Sequence, residues 1–210
     1  MMDHINVKGQ GGTFSAYIAR PKSSSASTVV VLQELFGVNA DIRKHCDELA
    51  EQGLLAVAPD LFWRQEPGVD LTVTSEADWQ FGLRLYQAYD RDTGVKDVKD
   101  TIEAVRRLPE CNGKVGLLGY CLGALMVFLT AARNAGIDAA VWYHGGDTEK
   151  YLGEVDGLHA PLLMHVAGPI GLSAFHVRRG KQPIAWTSVW REVLPCPERF
   201  GRLRVQRNVF

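Results

Sequence analysis

The chain has 210 residues, 46% of them hydrophobic and 22% charged, which fits one soluble globular domain and excludes disordered and fibrous classes. A net charge of −1 offers no field for nucleic acid or an anionic membrane, and the four cysteines, Cys46, Cys111, Cys121 and Cys196, form no C-x-x-C pair of the kind zinc sites use. The first residues lack the basic and apolar pattern of a secretory signal, and no apolar run reaches the roughly 18–20 residues of a membrane span, so a cytoplasmic protein is expected.

Two short strands are expected first, at residues 5–7 and 13–19, followed by a Ser-rich connection at 23–27. Residues 28–32 (TVVVL) form a β-branched run of the kind buried on both faces of a parallel sheet. From 39 to 52, Ile42, Cys46 and Leu49 recur at helical spacing, with Asn39 or Asp41 as N-cap and Gly53 as terminator. A strand follows at 54–58, and this β-α-β unit implies a right-handed crossover.

Helices are expected over 75–90, carrying Trp79, Leu83, Tyr86 and Tyr89, and over the next segment, where Val95, Val98, Ile102, Val105 and Leu108 share one face. A strand at 114–118, a helix at 122–134 and strands at 139–143 and 161–166 complete the pattern. Strands alternating with helices give an α/β class with a doubly wound, mostly parallel sheet and helices on both faces.

Residues 119–123, Gly-Tyr-Cys-Leu-Gly, match the G-x-nucleophile-x-G elbow, with cysteine as nucleophile, between an expected strand and an expected helix. The flanking glycines are needed because the sharp strand-to-helix turn leaves no room for side chains there. The amides of the helix N-terminus are expected to lower the Cys121 pKa and to receive a developing oxyanion. Cys46, by contrast, reads as a buried, inert thiol.

Gln33-Glu34-Leu35-Phe36-Gly37 directly follows the strand at 28–32, where a hydrolase of this class supplies the second half of its oxyanion hole. Leu35 and Leu122 are the expected amide donors. Glu34 at the end of an apolar strand is either a base or a paired acid, or else a solvent-facing or capping carboxylate. Phe36, Tyr86 and Tyr143 are candidates for lining a substrate pocket, although aromatic residues at such spacing also serve as core.

The Gln33–Gly37 loop, the Ala-Pro-Asp-Leu-Phe turn at 58–62, Asn112-Gly113-Lys114-Val115-Gly116 and the elbow resemble, in order and spacing, the dienelactone hydrolase family, from about Gly9 to Pro169. The resemblance implies an α/β-hydrolase fold, attack of Cys121 on a small activated ester or lactone, an acyl-enzyme, and no metal or organic cofactor. It also implies that Glu34 helps deprotonate the thiol. The implied partner is a small molecule, with neither nucleic acid nor membrane, on a monomer or small homo-oligomer.

Past residue 165 the pattern departs from that family. The family's acid lies in a segment resembling H-x-x-G-x-D, and here His165-Val166-Ala167-Gly168-Pro169-Ile170 puts isoleucine in the aspartate position. The family histidine's G-H-x-F-like loop has no counterpart, which leaves His176 as a candidate base or as a surface or packing histidine. One family arginine that holds the substrate carboxylate corresponds to Trp79.

Residues 177–210 carry eight basic side chains against two acidic ones, with no clear period. The chain therefore divides into a core at 1–170 and a divergent segment of the same domain at 171–210. That segment is either a natural replacement that binds a partner through its arginines or the product of an altered reading frame, and the coincidence of all the changes near Ile170 favours the second.

Two functions compete: an ester or lactone hydrolase, and an impaired hydrolase scaffold that binds a ligand or partner. A dinucleotide site at Gly9-Gln10-Gly11-Gly12 is disfavoured because those glycines precede a strand and do not join a strand to a helix.

Overall fold

The computed structural model describes residues 3–168 and 171–177, with side chains through His165. Its centre is an eight-stranded sheet in the order β1-β2-β4-β3-β5-β6-β7-β8. These strands are β1 (His4–Gly9), β2 (Gly12–Ala19), β3 (Ala26–Leu32), β4 (Leu55–Pro59), β5 (Cys111–Tyr120), β6 (Ala139–Tyr143), β7 (Leu162–Gly168) and β8 (Gly171–Val177). Strands β4, β3, β5, β6 and β7 run parallel, whereas β1 and β2 at one edge and β8 at the other are antiparallel. The glycine-rich segment at 9–12 is the β1–β2 hairpin turn, with Gly11 at φ +90°, a conformation glycine adopts without strain.

Helix α1 (Ala40–Glu51) covers one face of the sheet, and α3 (Arg91–Arg106) and α4 (Leu122–Ala132) cover the other. The expected cap of α1 is Asn39, whose side chain accepts the Ile42 amide at 3.1 Å. Asn39→Ala is expected to lower stability by about 1 kcal/mol, read as a melting-temperature drop of roughly 2–4 °C. Helix α2 (Glu76–Ala88) starts from Ser75 and packs at the ends of the strands.

Every residue of α4 is buried, because the sheet covers one side while α3 and the 3₁₀ segment Thr148–Gly157 cover others. Among the described residues, no helix is long and apolar enough to cross a membrane.

Three features differ from expectation. Strand β5 begins at Cys111, three residues early, with a register irregularity opposite Ala26–Thr28. Residues 148–157, to which the sequence reading assigns no element, form the 3₁₀ segment. Strand β8 was not expected at all; its backbone returns directly along β7, from Gly168↔Gly171 to Leu162↔Val177. Pro169, Ile170 and residues 178–210, with Cys196, lie outside the described residues.

Candidate functional site

Cys121 stands between β5 and α4 at φ 50°, ψ −109°, a strained conformation for a residue with a Cβ. Such strain costs about 1–3 kcal/mol, while burying Leu122, Leu125, Met126, Val127, Phe128 and Leu129 of α4 gives on the order of 10 kcal/mol. Packing of the helix therefore holds the bend. The bend is also tied by hydrogen bonds from the Cys121 amide to the Tyr143 carbonyl at 3.1 Å and from the Leu125 amide to the Cys121 carbonyl at 3.2 Å.

A Cβ on Gly119 would run into the Gly123 carbonyl, and one on Gly123 into the Leu32 carbonyl. The two motif glycines thus allow α4 to approach the ends of β5 and β3.

Gln33, which sequence reasoning did not single out, joins three parts of the site. Its carbonyl accepts the Gly123 amide at 2.9 Å, its side-chain oxygen accepts the Leu61 amide at 3.1 Å, and its side-chain nitrogen donates to the Glu34 carbonyl at 3.4 Å. The 58–62 turn is closed by Asp60, whose carboxylate accepts the Phe62 and Gly68 amides at 3.0 and 2.8 Å. The one signal for Gln33 in the sequence was a polar residue directly at the end of an apolar strand; that it is fully buried emerges only in the fold.

The electrostatics at the thiol correct one expectation. The Leu122 amide does favour the thiolate, but burial, followed by the negative charge of Glu34, outweighs it and pushes the Cys121 thiol above its ordinary value. Asp147 acts in the same direction. The helix terminus alone does not give a resting thiolate.

The Glu34 carboxyl is half-buried and is itself raised, chiefly by desolvation, with His144 the strongest opposing influence. His144, another residue not foreseen, follows β6 at φ 40°, and its amide donates to the His165 carbonyl at 2.9 Å. Its signal was a histidine at the carboxyl end of a parallel strand, where ligands of such sheets bind.

The other expected residues divide. Leu35 is buried with its side chain and carbonyl against Gly82 of α2, and Phe36 meets Trp79 edge-on at 4.9 Å between ring centroids. The Tyr86 hydroxyl donates to Asp147 at 2.9 Å; desolvation, then Asp147, pushes its pKa up to about 12. Tyr143 has both ring faces covered, by Tyr120 at 5.0 Å and His165 at 4.4 Å, in a row that continues to His45 on α1. Cys46 is fully buried, as expected, and burial pushes its thiol far up.

His176 lies on β8 opposite Leu163, three strands from β5 and two residues below the row formed by Tyr120, Tyr143 and His165. At ~4.8 Å per strand its backbone is far from Cys121, and its side chain lies outside the described residues. Among the described residues, the charge that acts most strongly on the thiol is that of Glu34.

Gly82 lets α2 rest on the loop that follows β3. A Cβ there would lie 2.5 Å from both the Leu35 carbonyl oxygen and a Leu35 methyl group. Gly82→Ala is expected to displace Leu35 and lower kcat about 10- to 100-fold, consistent with the sensitivity of oxyanion donors to geometry. Steady-state kinetics with an aryl ester, on protein shown folded by circular dichroism, checks this.

A model of the dienelactone hydrolase family matches residues 14–169. The carboxymethylenebutenolidase of Pseudomonas putida is 42% identical over 169 residues, covering 80% of this chain and 71% of the relative. Carboxymethylenebutenolidase 1 of Cupriavidus pinatubonensis is 37% identical over 167 residues, covering 79% and 71%. The solved structure of a dienelactone hydrolase from Anabaena variabilis, 16% identical, superposes with a TM-score of 0.58 over 78% of this chain and 72% of that one, a likeness of fold.

Proposed function

The chain belongs to the dienelactone hydrolase family, with an α/β-hydrolase fold, and from that premise we propose that it hydrolyses small activated esters or lactones through Cys121. The observation that carries this is the Cys121 thiol at the bend closing β5, with the Leu122 amide directed at its sulfur and the Glu34 carboxyl beside it.

Because the thiol is raised, attack requires its proton to leave as the carbon–sulfur bond forms. Glu34, as carboxylate, takes that proton. The carbonyl oxygen becomes an oxyanion facing the amides of Leu122 and Leu35. The intermediate then expels the ester oxygen, which recovers the proton from Glu34 unless it is a stable phenolate or enolate. When the leaving group departs as an anion, Glu34 releases its proton to solvent; water then attacks the thioester and gives one proton to the Glu34 carboxylate, the carbon–sulfur bond breaks, and Glu34 returns that proton to the thiolate.

Activated substrates suit this site because a carboxylate in a desolvated setting, opposed by a raised thiol, handles one proton less readily than a histidine poised near neutrality. Stopped-flow mixing with a 4-nitrophenyl ester tests the scheme: a burst of nitrophenolate equal to one active site is expected. Turnover without a burst, together with full activity after alkylation of Cys121, contradicts it, and no turnover of any activated ester favours the scaffold reading.

A further inference from the structure

Strand order places the loops after β3 and β6 on either side of the elbow after β5. Helix α2 touches both of those loops. Near its start Trp79 meets Phe36 of the first, and near its end Tyr86 binds Asp147 of the second and approaches Gly146. The helix therefore runs across the end of β5, where Cys121 sits.

At 3.6 residues per turn, Trp79, Leu83 and Tyr86 fall within an arc of about 60°, next to Gly82, which rests on Leu35. Trp79 and Leu83 are 44% and 39% exposed although large and apolar. The Trp79 ring is held in place, its indole N–H donating to the Val73 carbonyl at 2.8 Å.

Charged groups near this stripe have partners of their own. Arg84 lies off the stripe, over the Phe81 ring at 5.4 Å. Arg91 lies over the Tyr86 ring at 5.2 Å, donates to the Tyr89 carbonyl at 2.8 Å and pairs with Asp147 at 3.7 Å, and Lys150 binds Asp147 at 2.7 Å. The Glu34 carboxyl already acts on the thiol as a negative charge.

We propose that the Trp79–Leu83–Tyr86 stripe of α2 is the substrate wall over Cys121 and selects neutral esters with an aryl or alkyl acyl group over esters whose acyl group carries a carboxylate. The apolar acyl group gains by covering Trp79 and Leu83, while a carboxylate there loses water and, among the described residues, meets no cation that is not already paired with an acid, a carbonyl or a ring. This rests on the cysteine reading given above.

The test compares 4-nitrophenyl 4-methylbenzoate with the 4-nitrophenyl monoester of terephthalic acid, each rate divided by its hydroxide-catalysed rate. The neutral ester is expected to have a kcat/KM at least about tenfold higher. Leu83→Arg, at an exposed position, is expected to narrow or reverse that ratio by lowering KM for the anionic ester, with the melting temperature retained. Equal values for the two esters, or a ratio that Leu83→Arg and Trp79→Ala both leave unchanged, overturn the proposal. Loss of both activities in Cys121→Ala keeps this outcome distinct from failure of the cysteine mechanism, which would leave them intact.

Discussion

Cys121→Ala is expected to lower kcat/KM for activated aryl esters by at least about three orders of magnitude, because the proposed nucleophile is removed while the proposed oxyanion donors, the amides of Leu35 and Leu122, remain. The fold should persist. Alanine meets the same strain at φ 50° as cysteine does, and α4, which holds the bend, is untouched. Cys121→Ser is expected to recover little, since a hydroxyl ionises far less readily than a thiol and Glu34 is a weak base for it. Circular dichroism and a melting temperature near the parent's, measured beside the kinetics, separate this result from unfolding.

Glu34→Gln is expected to lower kcat/KM at neutral pH by about 10²- to 10⁴-fold, the usual contribution of a positioned base. Its pH profile carries more information than the single value. In the parent, the acid limb should lie above the ordinary carboxyl value of 4.5, because desolvation raises the Glu34 carboxyl. In the variant the base is absent and attack waits for spontaneous ionisation of the thiol, itself raised above 9.0 by burial. The residual rate should therefore keep rising into the alkaline range.

Stability should move the other way. A carboxyl whose folded value exceeds its unfolded one binds more protons when folded, so its ionisation weakens the fold as pH rises through the interval between the two values. Glu34→Gln should thus melt higher than the parent above that interval, with the gain shrinking as pH falls through it to 4.5 and below. A variant that is less active but no more stable at high pH would mean that Glu34 is well satisfied in the fold, against a strained catalytic role.

The alternation of strands and helices was legible because buried parallel strands read as short β-branched runs and the covering helices as 3.6-residue periods. Residues 29–32 and the 42, 46, 49 spacing are examples, and Asn39 caps its helix as its type suggests. Cys121 was legible because steric demands at the bend are local, so the two glycines appear beside it in the chain.

What was not legible is set by distant segments. Gln33 acquires its role only when β3, the 58–62 turn and α4 come together, and Gly82 only when α2 settles on Leu35. The thiol's electrostatics were misjudged for the same reason. The helix terminus is next to Cys121 in sequence, but the burial and the carboxylates that outweigh it come from elsewhere. Strand β8 lies just past the point where the family pattern is lost, and its pairing with β7 depends on register, not on composition.

The most direct measurement is intact-protein mass spectrometry of acid-quenched enzyme during turnover of a slowly deacylating aryl ester, with peptide mapping of the adduct. One acyl group on the sulfur of Cys121, absent in Cys121→Ala, is the expected result. An acyl group on a different residue, or undiminished hydrolysis by Cys121→Ala with no adduct formed, would contradict a cysteine nucleophile at this bend.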